Sequence, residues 1–178
     1  MTLWFLLLAA VLLSLERVCY IYISRAPERF LRFCNRPQAV SLGGPVEVLR
    51  TLFYGFKGLQ FAVFLGWCYV HGGGSLLPAG RGTLPLAVGG ALIAAGQMLN
   101  WGVFYRLGTV GVFYGNRLGY SIPWSRAFPF SWFRHPQYVG TVWSIWGFFL
   151  IMRFPQSDWY MLPTLETVYY MLGAYLER

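Results

Sequence analysis

Phe133-Arg134-His135-Pro136-Gln137-Tyr138-Val139-Gly140 marks where a helix begins and on which side of the molecule its chemistry gathers. Pro136 pushes His135 out of the helical region and is preset for a first helical turn. His135 is therefore expected at the cap of a helix running on through Tyr138 and Gly140. Orphan backbone N–H groups and the helix dipole point outward from such an end, and with Arg134 beside it the place suits a phosphate or a carboxylate. The alternative is a plain membrane-surface helix start with a basic anchor.

The chain around this block is predominantly apolar. Of 178 residues, 57% are hydrophobic and 11% charged, with a mean hydropathy of +0.49, against about 25% charged in soluble domains. This is the composition of an integral membrane protein. Its apolar runs are long and continuous, which favours helices over the ten-residue alternations of a barrel. The expected fold is all-α: one domain, 1–178, a polytopic bundle of four to five transmembrane helices. A net charge of +8 could suggest nucleic acid, but the arginines sit in short loops beside apolar runs, so a bilayer accounts for them and no nucleic-acid partner is expected. Cys19, Cys34 and Cys68 are odd in number and lack metal-ligand spacing, so free thiols and no metal are expected. The first apolar run continues past Arg17 without a basic leader, so no cleaved signal is expected.

Helix 1 is expected over Thr2–Ser24, with Glu16 and Arg17 off centre, pairing or reaching the interface. A basic amphipathic segment, 25–45, leads to helix 2 over Val46–Val70, where Lys57 in mid-span must face the bundle or a wet cavity, contacting an anionic ligand or a partner such as Glu16. The glycine-rich turn 71–83 follows, with His71 read as solvated. Helix 3, Leu84–Leu107, brings Gly89, Ile93, Gly96 and Asn100 onto one face, with Gln97 alongside, a pattern for close packing and an interhelical amide bond. An interfacial linker, 108–133, is rich in glycine but lacks the strand–turn–helix setting of a dinucleotide fingerprint. Helix 4, Pro136–Met152, and helix 5, Trp159–Glu177, form a full hairpin or a shallow, kinked one.

Arg25, Arg29, Arg32 and Arg36 fall in the first loop and Arg106, Arg117, Arg126 and Arg134 in or beside the third, against Arg81 alone in the second. The first and third loops are therefore expected in the cytosol, with the C-terminus beside His135. On helix 5, Glu166 and Glu177 lie within about 20° of one face, with Tyr170 between them. A carboxylate in hydrocarbon marks function or a structural pair, and Glu166 with Lys57 or an arginine would be the latter. A cationic donor entering from the cytosol would need a carboxylate, Glu177, and aromatic faces, while a lipid acceptor would enter sideways with its phosphate near Arg134.

From about Leu84 to the C-terminus the chain resembles the integral-membrane phospholipid (phosphatidylethanolamine) N-methyltransferases, more distantly related to isoprenylcysteine carboxyl methyltransferases. The residues that carry the resemblance are Arg106-Leu107-Gly108 with Gly111 and Gly115, Phe128-Pro129-Phe130, the block Arg134–Gly140, and Leu176-Glu177. In that family a Gly-x-Gly on the third helix and a Glu-Glu pair after the last helix bind S-adenosylmethionine. The first maps onto Ala94-Ala95-Gly96 and the second onto Leu176-Glu177, each keeping its final residue and lacking its first.

The resemblance implies methyl transfer from S-adenosylmethionine to the amine of phosphatidylethanolamine or its mono- and dimethyl forms, toward phosphatidylcholine. Glu177 would bind the donor and serve, with His135, as the catalytic pair. His135, Tyr138 and Gly140 would shape the donor pocket with Gly96 and Gly108. Arg134 would meet the phosphate, with Trp143 or Trp132 against a methylated ammonium and Glu166 and Tyr170 lining the substrate side. An endoplasmic reticulum or a bacterial inner membrane fits equally. Carboxyl methylation of a prenylated cysteine, or a non-catalytic membrane scaffold, are the alternatives.

Overall fold

The computed structural model describes residues 2–80, 82–122 and 125–176. Seven α-helices and one 3-10 turn form, with no strand among the described residues: α1 (Thr2–Arg25), α2 (Pro27–Cys34), α3 (Pro37–Val40), α4 (Pro45–His71), α5 (Thr83–Val112), the 3-10 turn Gly115–Leu118, α6 (Pro136–Met152) and α7 (Met161–Leu176). Proline stands in the first turn of α2, α3, α4 and α6, where its missing N–H would have had no helical partner.

Helices α1, α4 and α5 are long and apolar enough to cross a membrane. At 17 and 16 residues, α6 and α7 span about 24–26 Å, short of the ~30 Å hydrocarbon layer. They form an antiparallel hairpin, packed α5 on α6, α6 on α7, α7 on α1 and α1 on α4. Outward faces carry large apolar side chains, among them Val11 and Val18, Phe61 and Leu65, Val88, and Met171. With no water there to hide from, such faces are stable only against lipid, and the chain is a membrane protein.

The face of α5 expected to pack closely does so. A Cβ on Gly140 would lie 2.5 Å from Gly96 O, and one on Gly147 2.5 Å from Gly89 O, so α5 and α6 touch backbone to backbone. The amide of Gln97 donates to Ser144 Oγ at 2.9 Å across the same seam. Helix α5 runs past its expected end at Leu107 by breaking at Gly108, whose φ of 61° and ψ of −179° are open to glycine alone. Beyond the break, Val112 packs against the cluster that holds Tyr20, Ile23 and Leu49.

At the opposite end, the turn between α6 and α7 is locked. Arg153 donates to Asp158 through Nε (3.0 Å) and Nη2 (2.9 Å) and to His71 O at 2.8 Å, while Trp67 Nε1 donates to the same carboxylate at 2.8 Å. Burial alone would raise the Asp158 pKa, but the bonds from Arg153 and Trp67 outweigh it and hold the carboxyl below its usual range. Because the folded value lies below the unfolded one of about 3.9, this stabilisation is complete above that pH and is lost as pH falls through the folded value. The unfolding midpoint of the wild type is therefore expected to drop on acidification below about pH 4. Asp158→Asn should start lower at neutral pH and drop less; parallel acid profiles would contradict the clamp.

Candidate functional site

The first half of α4 carries a lysine in a segment otherwise suited to lipid, and its ammonium finds three kinds of partner. Lys57 Nζ lies 3.1 Å from Glu16 Oε1 and donates to Gln60 Oε1 (3.1 Å) and Tyr170 Oη (3.0 Å). Glu16 also pairs with Arg17 Nη2 at 3.0 Å. Gln60 turns its other end to Glu166, donating from Nε2 to Oε1 at 2.6 Å. A network of two carboxyls, two cations and an amide thus joins α1, α4 and α7 inside the bundle. Charges in hydrocarbon persist only when paired and facing inward, and these are. Glu16 and Arg17, expected to pair or snorkel, pair while buried.

This network forms one wall of a cavity of about 430 Å³. Glu16, Arg17 and Tyr20 come from α1, Phe53 and Lys57 from α4, and Tyr170 from α7. Facing them are Val103, Leu107 and Gly111 from the end of α5, Tyr114 and Asn116 from the linker, and Arg134, His135, Pro136, Gln137, Tyr138 and Thr141 from the start of α6. The cavity sits at the end of the bundle where the 26–44 and 113–135 connections and the end of α7 gather, which is the arginine-rich end.

His135 occupies the cap of α6, and its carbonyl accepts from Tyr138 N (3.1 Å) and Val139 N (3.2 Å). Its ring stacks on Tyr138, centroids 5.8 Å apart, and Tyr138 meets Tyr170 edge to face at 5.4 Å. The Arg17 guanidinium lies 4.0 Å from the Tyr170 ring centroid, with Tyr138 at 5.7 Å and Tyr20 at 5.9 Å. Three tyrosine faces thus converge on one buried cation.

Of the residues singled out in the sequence, the fold brings Arg134, His135, Tyr138 and Tyr170 to the cavity. Glu166 lies one turn before Tyr170 on the inward face of α7, 2% exposed and bonded to Gln60 behind the lining. Gly96 and Gly140 meet in the α5–α6 seam rather than at the cavity. Ala94 faces outward and Ala95 is half-buried on α5, Gly108 is exposed at the α5 break, and Leu176 is half-buried at the end of α7. Trp143 is half-buried, its ring edge to face with Phe133 at 5.8 Å. Glu177 lies outside the described residues.

Sequence reading missed Tyr20 and the part of Arg17 that faces the cavity. The signal was there in outline: an arginine inside a span, and a tyrosine three residues on, along the same helical face. Gln60 as the link between Lys57 and Glu166 had no such signal, since an amide in an apolar helix is unremarkable until its neighbours are known.

Comparison with known proteins bears on the half of the chain that carries α5 to α7. No solved structure matches. A phosphatidyl-N-methylethanolamine N-methyltransferase of Arabidopsis thaliana is 50% identical over 54 residues, 30% of this chain and 33% of that protein, so the match spans about a third of the relative's length. The family described as phospholipid methyltransferase matches residues 84–178, more than half of the chain and every cavity residue that α5, α6, α7 and the linker contribute, and the chain belongs to that family.

Proposed function

We propose that the protein methylates the amine of phosphatidylethanolamine and of its mono- and dimethyl derivatives, toward phosphatidylcholine, with S-adenosylmethionine as methyl donor. The reaction would occur at the cytosolic face of an endoplasmic reticulum or bacterial inner membrane. One observation carries the reading: the His135–Tyr138 block, inside the family-matched segment, opens into a cavity at the arginine-rich end of the bundle.

The residues present suit both reactants. A volume of about 430 Å³ lies within the ~300–1,000 Å³ of small-molecule sites. Tyrosine faces attract a sulfonium or a methylated ammonium. The donor supplies an electrophilic methyl carbon, and as the amine lone pair bonds to it the carbon–sulfur bond breaks and a neutral thioether leaves. Everything else falls to the protein. The amine must shed its proton before it attacks, and the cavity's apolar lining favours the neutral form. His135, which lines the cavity, is the residue we assign as proton acceptor, and the family resemblance adds Glu177 of the terminal motif to that role. Arg134, exposed at the mouth, suits the lipid phosphate.

Purified protein in lipid nanodiscs, given methyl-labelled donor, is expected to label phosphatidylethanolamine or its monomethyl or dimethyl form. The name of the Arabidopsis relative specifies the monomethyl lipid, so that acceptor should turn over at least as fast as the unmethylated one. Absence of labelled product from all three lipids would overturn the proposal.

A further inference from the structure

We infer that Arg17 and Tyr20, on α1 ahead of the family-matched segment, form an oxyanion subsite in the wall of the cavity. The inference rests on the methyltransferase reading for the identity of the oxyanion, and on geometry for its existence.

The argument starts from which donors are already used. An ammonium has three N–H groups, and Lys57 directs its three at Glu16, Gln60 and Tyr170. Lys57 is a positioning residue with nothing left to offer a ligand. Arg17 differs. Its Nη2 serves Glu16, but its Nε, in a residue 6% exposed, has no hydrogen-bond partner among the described residues. The Tyr20 hydroxyl, in a residue 5% exposed, has none either. Buried polar groups are nearly always satisfied, and here two unsatisfied ones, three residues apart on one helix, border the same cavity. Both atoms are covered by their neighbours rather than open to the cavity, so a ligand there becomes the partner they lack by displacing that cover.

The charge of that partner follows from the lining. Arg17, Lys57 and Arg134 face a single described carboxylate, Glu16. Glu166, bonded to Gln60 behind the lining, offsets one of the two buried cations, so the surplus at the cavity is the charge of Arg134 and the complementary group is an anion. A guanidinium and a phenolic hydroxyl three residues apart on one helix are both donors that a carboxylate or phosphate accepts from. The Tyr170 ring, 4.0 Å from the guanidinium, holds that group in place, so little rotamer freedom remains to be lost on binding. Two oxyanions belong to the proposed reaction: the carboxylate at the amino-acid end of the donor and the phosphodiester of the lipid.

Tyr20→Phe tests this cleanly, because it removes one oxygen that makes no hydrogen bond in the described structure. Its thermal stability should equal or exceed that of the wild type. Arg17→Lys, which also disturbs the Glu16 pair, is read beside it. In nanodiscs, calorimetry with S-adenosylhomocysteine and with 5′-methylthioadenosine, which lacks the amino-acid end, is combined with the KM for phosphatidylethanolamine. If the donor carboxylate is the ligand, S-adenosylhomocysteine binding falls about tenfold or more and methylthioadenosine binding stays. If the phosphodiester is the ligand, KM for the lipid rises by a similar factor while both nucleosides bind as before. Unchanged binding and KM in both variants would mean that only water sits there and would overturn the subsite.

Should the wild type neither bind S-adenosylhomocysteine nor methylate lipid, the methyltransferase reading falls by itself. The subsite is then read by native mass spectrometry of retained phosphatidylglycerol against diacylglycerol. Selective loss of the phosphatidylglycerol in Tyr20→Phe sustains the subsite, and equal retention overturns it.

Discussion

Gly96→Val is expected to keep α5 from docking on α6, with a loss of about 3 kcal/mol or more in reversible unfolding in mixed detergent micelles. A Cβ at this position would meet the carbonyl oxygen of Gly140, and Ser144 Oγ at 2.5 Å. The first obstacle is backbone, which moves only if the helix moves. The reciprocal position is as tight, since a Cβ on Gly140 would lie 2.5 Å from Gly96 O and 2.9 Å from Asn100 Oδ1. About two turns along the seam, Gly89 and Gly147 repeat the arrangement. Between membrane helices there is no hydrophobic drive to spare, so close van der Waals approach through small residues supplies much of the attraction, and separating the helices removes it along the whole seam. Gly90→Val is the control: a Cβ there meets nothing within 4 Å, and the change should stay within about 0.5 kcal/mol. Equal behaviour of the two variants would refute the packing account. The seam matters beyond stability because it sets the register of His135 and Tyr138 against Val103 and Leu107 across the cavity.

That seam also shows why parts of this fold could be read from the chain alone. Gly89, Gly96 and Asn100 share a helical face by arithmetic, and small residues on one face of a span have few uses other than close packing. Proline and hydropathy likewise delimit α6 at Pro136–Met152 and α4 within a residue of each end. The extension of α5 beyond Leu107 was illegible because it depends on one glycine taking a conformation that nothing local demands. The same contrast holds at the site. His135 and Tyr138 could be placed at a helix start from Pro136, whereas the wall opposite is assembled from α1, α4 and α7, more than a hundred residues apart in the case of Lys57 and Tyr170. Long-range convergence of that kind leaves only an indirect trace, the presence of Glu16, Arg17 and Lys57 where lipid would reject them.

Lys57→Met should be the most damaging single change to that wall, costing about 3–5 kcal/mol in the same unfolding measurement. Removing the ammonium leaves the Glu16 carboxylate with Arg17 as its one remaining ion-pair partner among the described residues and deprives Gln60 Oε1 and Tyr170 Oη of their donor, all in places water scarcely reaches. Most of the loss is the exposure of those partners to an apolar surrounding rather than the strength of the bonds themselves. That distinction is measurable. In Glu16→Gln/Lys57→Met the opposite charges leave together, so the net charge of the buried network is unchanged. If the ammonium and the carboxylate stabilise chiefly by neutralising each other, the double variant should be less damaged than the sum of the single ones, with a coupling of about 1–3 kcal/mol. Simple additivity would mean that each group is held by its other neighbours and that the two act separately. A strong coupling has a further consequence for the cavity, because Tyr170 and Glu16 are both oriented by Lys57. The single variant should then also loosen the tyrosine face under Arg17, weakening ligand binding even at temperatures where the bundle remains folded.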